Sequence, residues 1–298
     1  MSTSPPLPRL RLAPTPSGLL HIGNGANFVL TAALAQALSG ELLLRVDDLD
    51  GARVRGEYLN DIDVALDFLF PRPLFVGLRQ NTVHQSSRIA HYAAALDTLR
   101  ARDLVYACTC SRRDLRAAQE AAGLRVDVNA YLGTCRDKAL PLDAEGAVWR
   151  LRTEEPAGDF VVRQRNGRPS YQVASLVDDV ALGITHVVRG EDLASSTAMQ
   201  RVLAKALAPH DEAYAAFTDD PPGVASPVRF YHHPLLTDPR GRKLSKSAGA
   251  DSLRALRQDG MRAEVVYYEA ARLLDPEADC RDLADLTTVV SRTWLQAR

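Results

Sequence analysis

The apolar pattern of the chain changes character about a third of the way along it. Arg9–Ala13 is a short apolar-rich run halted by Pro14 and Pro16, and it predicts a first strand. From Gly23 to Ser39, the residues Phe28, Leu30, Ala33, Leu34 and Leu38 share a broad helical face that Gly40 ends. Leu42–Val46, apolar except for Arg45, reads as a strand buried on both faces. A second helix is expected over Glu57–Leu69, closed by Pro71 and Pro73. Strand, glycine-bearing turn, helix and strand together make the βαβ unit of a doubly wound α/β domain.

A further helix is predicted over Gln85–Arg102, leading into a strand at Leu104–Tyr106. The periodicity then fades. Residues 107–140 are polar and hold three of the four cysteines, as in an insertion stapled by something other than an apolar core. Val148–Arg152 and Phe160–Arg163 read as strands around an exposed turn at Gly158. Alternation with helices returns at Tyr171–Val180, Ile184–Val188 and Ser195–Leu207. Pro221, Pro222 and Pro227 mark an irregular loop before a last strand near Val228–Leu236, and helix is expected after Gly249. The expected organisation is a catalytic domain in two halves, 1–106 and 166–249, split by an inserted module over 107–165 and followed by a helical segment over 250–298.

Charge narrows the partners. The net charge of −1 provides no general field for a polyanion, so any nucleic-acid contact must be local. Arginines do cluster at 112, 113 and 116, at 163, 165 and 168, and with Lys243 at 240 and 242; a solvated face is the plainer reading of each. No run approaches the ~18 apolar residues of a membrane span. The first residues lack the charged and apolar parts of a signal peptide, and four cysteines in 298 residues do not make a disulfide framework, so a reducing cytoplasm is expected.

Two segments carry the chemistry. Residues 13–24, Ala-Pro-Thr-Pro-Ser-Gly-Leu-Leu-His-Ile-Gly-Asn, place a tight turn between a strand and a helix start. Free N–H groups there form a ready anion site, and His21 stands beside it. Residues 241–247, Gly-Arg-Lys-Leu-Ser-Lys-Ser, set Lys243 and Lys246 in a glycine-flanked loop suited to following a triphosphate. Either segment alone is commonly structural or solvated; the pair is not plausibly accidental. Elsewhere, Cys108-Thr-Cys110 and the later Cys135 present three thiols that a fourth ligand could complete into a tetrahedral zinc site, although free cysteines are often small buried hydrophobes.

His-Ile-Gly-Asn and Lys-Leu-Ser-Lys-Ser resemble the two signatures of class I aminoacyl-tRNA synthetases. Arg-Leu-Ala-Pro-Thr-Pro-Ser-Gly, Arg45-Val-Asp-Asp-Leu-Asp50, Tyr171-Gln-Val-Ala, Val177-Asp-Asp and Thr185-His-Val-Val-Arg-Gly-Glu-Asp192 are similar to the glutamyl group in particular. The resemblance runs from about Arg9 to about Ala250, and the chain's length resembles the truncated glutamyl-Q-tRNA(Asp) paralogues. It implies a Rossmann-like catalytic domain with a small zinc-binding insertion. The implied reaction is activation of L-glutamate with ATP and Mg²⁺ and transfer to queuosine in tRNA(Asp), by a monomer.

By the same resemblance, His21 and Lys246 stabilise developing charge, while Pro14, Thr15, Gly23, Asn24, Lys243 and Ser245 complete the ATP site. Arg11 pairs with the substrate's side-chain carboxylate, and Leu12, Ala13, Pro14, Thr15, Tyr171 and Arg189 line the same pocket. The position that meets the α-ammonium is usually Glu in the family and is Asp47 here, one methylene shorter; read alone, Asp47, Asp48 and Asp50 make a solvated acidic turn. The family's Cys-x-Cys…Tyr-x-x-x-Cys pattern makes Tyr131 the fourth ligand beside Cys108, Cys110 and Cys135. Two rival expectations are glutamate adenylation with transfer to a tRNA 3′ end or a small amine, and a catalytically inactive, zinc-bearing nucleic-acid-binding module.

Overall fold

The structure is a computed structural model, and it describes residues 7–125, 131–156, 158–219, 227–237 and 252–296. The chain divides into two compact units. The first comprises Met1–Ser87, Gly183–Ala194 and Val228–Arg298; the second comprises Arg88–Leu182 and Ser195–Pro227.

In the first unit, β1 (Arg9–Leu12), β2 (Glu41–Val46) and β3 (Thr82–His84) form a parallel sheet in the order β1-β2-β3. The helix α1 (Ile22–Ala37) connects the first two strands, as the apolar pattern predicts. Period-two alternation divides β1 and β2 cleanly. Leu10, Leu12, Leu44 and Val46 enter the main core with α1, while Arg11, Leu43, Arg45 and Asp47 take the opposite face. Each fully buried leucine in that core contributes about 2 kcal/mol. A second parallel pair, β7 (His186–Gly190) and β8 (Arg229–His233), is joined to the start of β1 by Thr185 N–H donating to the Arg9 carbonyl at 2.9 Å. Val188 enters the α1 core, so Arg189 takes the face that carries Arg11 and Asp47.

The helices α8 (Leu253–Gln258), α9 (Ala263–Arg272) and α10 (Leu283–Val290) share this core: Leu253, Val266, Tyr267, Leu286 and Val290 pack in one cluster with Ala26, Val29 and Leu30. The close approach needs Gly25, where a Cβ would stand 3.1 Å from Val266 and 3.3 Å from Leu253. Cys280 is buried in the same core. After α2 (Gly56–Leu69), Pro71 does not simply end structure but opens α3 (Arg72–Gln80), because proline is well placed in a first helical turn.

The second unit has a different plan. After α4 (Ile89–Ala101), β4 (Val105–Cys108), β5 (Val148–Leu151) and β6 (Val161–Arg163) form an antiparallel meander. The helix α5 (Arg112–Ala121) occupies part of the segment in which periodicity fades, started by a Ser111–Asp114 capping box rather than by an apolar stripe. Gly158 has φ +68° and is half-buried rather than exposed. The helices α6 (Tyr171–Ala181) and α7 (Ala194–Leu207) complete it. Buried Asp178 accepts Arg88 Nε at 2.6 Å and Tyr92 Oη at 2.9 Å, tying α6 to the start of α4. Among the described residues, no helix is long and apolar enough to cross a membrane.

Candidate active site and metal centre

The loop after β1 is held by backbone. Asp47 N–H donates to the Pro14 carbonyl at 2.9 Å, so the end of β2 supports the turn; Pro14 is buried and Thr15 exposed. His21 is the N-cap of α1, where its Nδ1 accepts the Gly23 N–H at 3.1 Å. Asn24 Oδ1 accepts the His21 N–H at 3.1 Å in return. A neutral imidazole that accepts at Nδ1 carries its proton on Nε2, so the ring presents a donor away from the cap. The cap also explains Gly23: a Cβ there would lie 2.9 Å from His21 Cε1. No acidic side chain sits in the first turn of α1, which leaves the partial positive charge of the helix end to a ligand.

Lys243, Ser245 and Lys246 lie outside the described residues. The described chain resumes at Ser252, directly beside the cap. Ser252 forms an antiparallel bridge with His21, and Leu253 N–H donates to the Leu20 carbonyl at 2.8 Å. The segment following the second motif is thus seated on the first.

Two residues of this region, Asp61 and His233, carry no sequence signal, and a third, Arg45, enters the sequence reading only as part of a motif. Asp61 of α2 is buried, at 1% exposure, and accepts Leu20 N–H at 3.1 Å and Arg254 Nε at 3.1 Å. His233 ends β8: its Nε2 lies 3.1 Å from Asn27 Nδ2 and its Nδ1 2.8 Å from the Pro234 carbonyl. Burial pulls the His233 imidazole below its ordinary value, although the Pro234 carbonyl opposes this. Arg45 is wholly buried and grips Asp47 with two bonds, Nε to Oδ1 at 2.7 Å and a second nitrogen to Oδ2 at 3.2 Å. Breaking such a buried pair costs about 3–5 kcal/mol. Asp61 and His233 gave no sequence signal, each being one polar residue on an amphipathic element.

For the expected amino-acid pocket, Arg11, Asp47 and Arg189 come to one face of the parallel layer, all buried. The Arg189 guanidinium lies 5.2 Å from the Phe230 ring centre. Asp47 is not a solvated turn residue, and Asp48 accepts Ser86 N–H at 2.7 Å in the turn after β3 rather than capping the next helix, whose N-cap is Arg55 with no side-chain cap bond. Leu12 is buried and Ala13 half-buried beside Arg11. Tyr171 begins α6 in the second unit and is exposed.

The thiol sulfurs of Cys108, Cys110 and Cys135 lie within 4.8 Å of one another, with Cys110 and Cys135 at 3.5 Å. Thiolates around one zinc ion, with bonds of about 2.3 Å, stand about 3.8 Å apart, so this triangle fits a tetrahedral metal. The Tyr131 hydroxyl adjoins this triangle: it accepts the Cys135 N–H at 2.7 Å and hydrogen-bonds to the Cys108 thiol. Burial pushes the Cys108 thiol up, but the Tyr131 hydroxyl and the Arg150 guanidinium outweigh it and bring the thiol below its ordinary value. Cys110 is pushed up to about 12 by burial and by the neighbouring sulfurs. Arg150 lies over the Tyr131 ring at 3.6 Å and donates to the Asp159 carbonyl at 2.7 Å. Arg165 donates to the Cys110 carbonyl at 2.7 Å, clipping the Cys-x-Cys turn to the chain after β6.

Comparison with known proteins follows the same lines. The family of class I tRNA synthetases (E and Q), catalytic domain, matches residues 9–140 and 145–219. A "Glutamyl-Q tRNA(Asp) synthetase" of Parasynechococcus marenigrum (strain WH8102) is 38% identical over 267 residues, covering 87% of this chain and 80% of that protein. "Glutamate--tRNA ligase 2" of Acidiphilium cryptum (strain JF-5) is 35% identical, covering 90% of this chain but 62% of its own length. The crystal structure of a glutamate-tRNA synthetase from Elizabethkingia anophelis superposes with a TM-score of 0.68 at 22% identity. It covers 95% of this chain, which spans 65% of that one, and shows the shared fold.

Proposed function

We propose that this chain, which belongs to the class I tRNA synthetases for glutamate and glutamine, activates L-glutamate with ATP and passes it to queuosine in tRNA(Asp). The carrying observation is the α1 cap: an acid-free helix start, an imidazole whose proton sits on Nε2, and the Ser252 seam beside it. A carboxylate oxygen of glutamate attacks the α-phosphorus, the bond to the bridging oxygen breaks, and pyrophosphate leaves. His21 Nε2–H and Lys246 meet the charge that grows on the phosphate oxygens, with Lys243 and Ser245 shaping the second segment and Thr15, Gly23 and Asn24 the first. Bound Mg²⁺ supplies charge neutralisation on the leaving pyrophosphate.

In this reading Arg11 receives the side-chain carboxylate through its fork, and Arg189 and Tyr171 orient the amino acid. Asp47 takes the α-ammonium. Both its oxygens are held by Arg45, which fixes their direction. A hydroxyl of the acceptor then attacks the glutamyl carbonyl and AMP departs. Cys108, Cys110, Tyr131 and Cys135 would hold zinc, which would fix the fold of the cysteine-bearing module, and the enzyme works as a monomer in the cytoplasm.

The acceptor rests on the relative's name and identity; similarity to a glutamate–tRNA ligase supports the tRNA 3′ end as the alternative. ATP–pyrophosphate exchange with each amino acid tests the first half-reaction, expected with glutamate. Exchange with no amino acid, with or without tRNA, overturns it in favour of a binding module. Charging of tRNA(Asp) with and without queuosine tests the second, and equal charging of both removes the queuosine reading.

A further inference from the structure

Asp61 is a buried carboxylate that the reaction itself does not use, yet its partners come from both sides of the proposed ATP site. Oδ2 accepts the N–H of Leu20, the residue before the His21 cap, at 3.1 Å. Oδ1 faces Arg254 Nε at 3.1 Å and an Arg257 nitrogen at 3.7 Å. Both arginines lie on α8, whose N-cap Ser252 follows the second motif by five residues of sequence. Arg254 also donates to the Glu57 carbonyl on α2 at 3.1 Å, and Arg257 Nε to the Leu253 carbonyl at 3.1 Å. Between these bonds runs the seam of His21 with Ser252 and of Leu20 with Leu253.

The geometry points to Asp61 as a positioning residue that ties the His21 cap of the proposed ATP site to α8, an inference that rests on the proposed adenylation. One carboxylate, at 1% exposure, holds the backbone entering the α1 cap and the helix leaving the lysine-bearing segment. Charge is what makes the tie directional. A buried carboxylate demands donors on both oxygens, and each donor here belongs to a chain segment flanking one motif. Asparagine would keep the volume and could still accept from Leu20, but its amide nitrogen or a neutral oxygen would face the two guanidinium groups. The Arg11–Asp47–Arg189 face takes no part in these bonds. Loss of the carboxylate should therefore weaken ATP use and spare glutamate.

The test is ATP–pyrophosphate exchange by Asp61→Asn and Asp61→Glu, with substrate constants measured for ATP and glutamate separately and ATP binding followed by calorimetry without glutamate. Asp61→Asn is expected to lower kcat/KM for ATP about tenfold or more, with the glutamate KM within about twofold. Asp61→Glu should restore part of the loss, and adding Arg254→Met to Asp61→Asn should cost little more, because the two act through one contact. Equal losses on both substrates, or a loss matched by a fall in Tm, would make Asp61 a fold residue only and overturn the inference. Wild-type constants in Asp61→Asn would do the same. If the unsubstituted protein shows no exchange, the adenylation reading fails, and calorimetry still decides whether Asp61 governs ATP binding.

Discussion

The two units hold their chemically active side chains by opposite means. In the first, His21 is placed by backbone: a helix cap, a glycine with no room for a Cβ, and a core of leucine, valine and alanine behind α1. In the second, Cys108, Cys110 and Cys135 sit in a small cluster with little apolar support, organised by Tyr131, Arg150, Arg165 and the backbone carbonyl of Asp159. A site built on a parallel sheet takes its precision from packing that is already stable. A site built on thiols in a polar module needs either many hydrogen bonds or a metal to reach the same order. The difference predicts that the first site fails through geometry and the second through loss of whatever metal its thiols bind.

The largest effect expected is from Gly23→Ala. The added methyl forces the imidazole off the cap, and glutamate-dependent pyrophosphate exchange should fall roughly a hundredfold with the fold intact by circular dichroism. Retained exchange would show that the cap geometry is not what places His21. Lys246→Ala comes next, with a loss of about tenfold or more in the activation rate; wild-type turnover would take this lysine out of the mechanism.

For the second unit, Cys135→Ser, or treatment with a strong chelator, should lower zinc below about half an equivalent per chain by mass spectrometry. It should expose the module to proteolysis while leaving exchange without tRNA within about twofold. Equal damage to exchange would erase the contrast between the units. The smallest effect concerns His233. Its folded value lies below the ordinary one, so the neutral ring stabilises the fold fully above about pH 6.5, and this is lost as pH falls through the lowered folded value. Thermal melts between about pH 7.5 and about pH 5 should decline more steeply for the parent chain than for His233→Gln. Parallel declines would remove His233 as the cause.

Legibility differed between the units for the same physical reason. The first βαβ unit was readable because strand and helix periods are written in the residues that pack, from Leu10 to Val46. The helix α5 was not, since Ser111 and Asp114 start it through polar bonds that leave no apolar period. Pro73 was read as a stop, yet proline in the first turn is as compatible with a start. Cys108, Cys110, Tyr131 and Cys135 were named from motif and do converge. The mates of Asp61 are not legible, being decided by which chain segments fold against it, whereas Arg45 stands only two positions before its partner Asp47.

The sequence by itself determined the local grammar: the β1–α1–β2 order, the tight turn before the helix that opens near Gly23, and the thiol spacing. Those follow from φ/ψ limits, period and residue chemistry, all of which act over a few positions. Only the tertiary structure decided that Ser252 lies against His21, that α9 and α10 cover α1, and that Asp61 and Arg254 pair across 193 positions of sequence. Such contacts depend on where whole elements pack, and no short window of residues carries that.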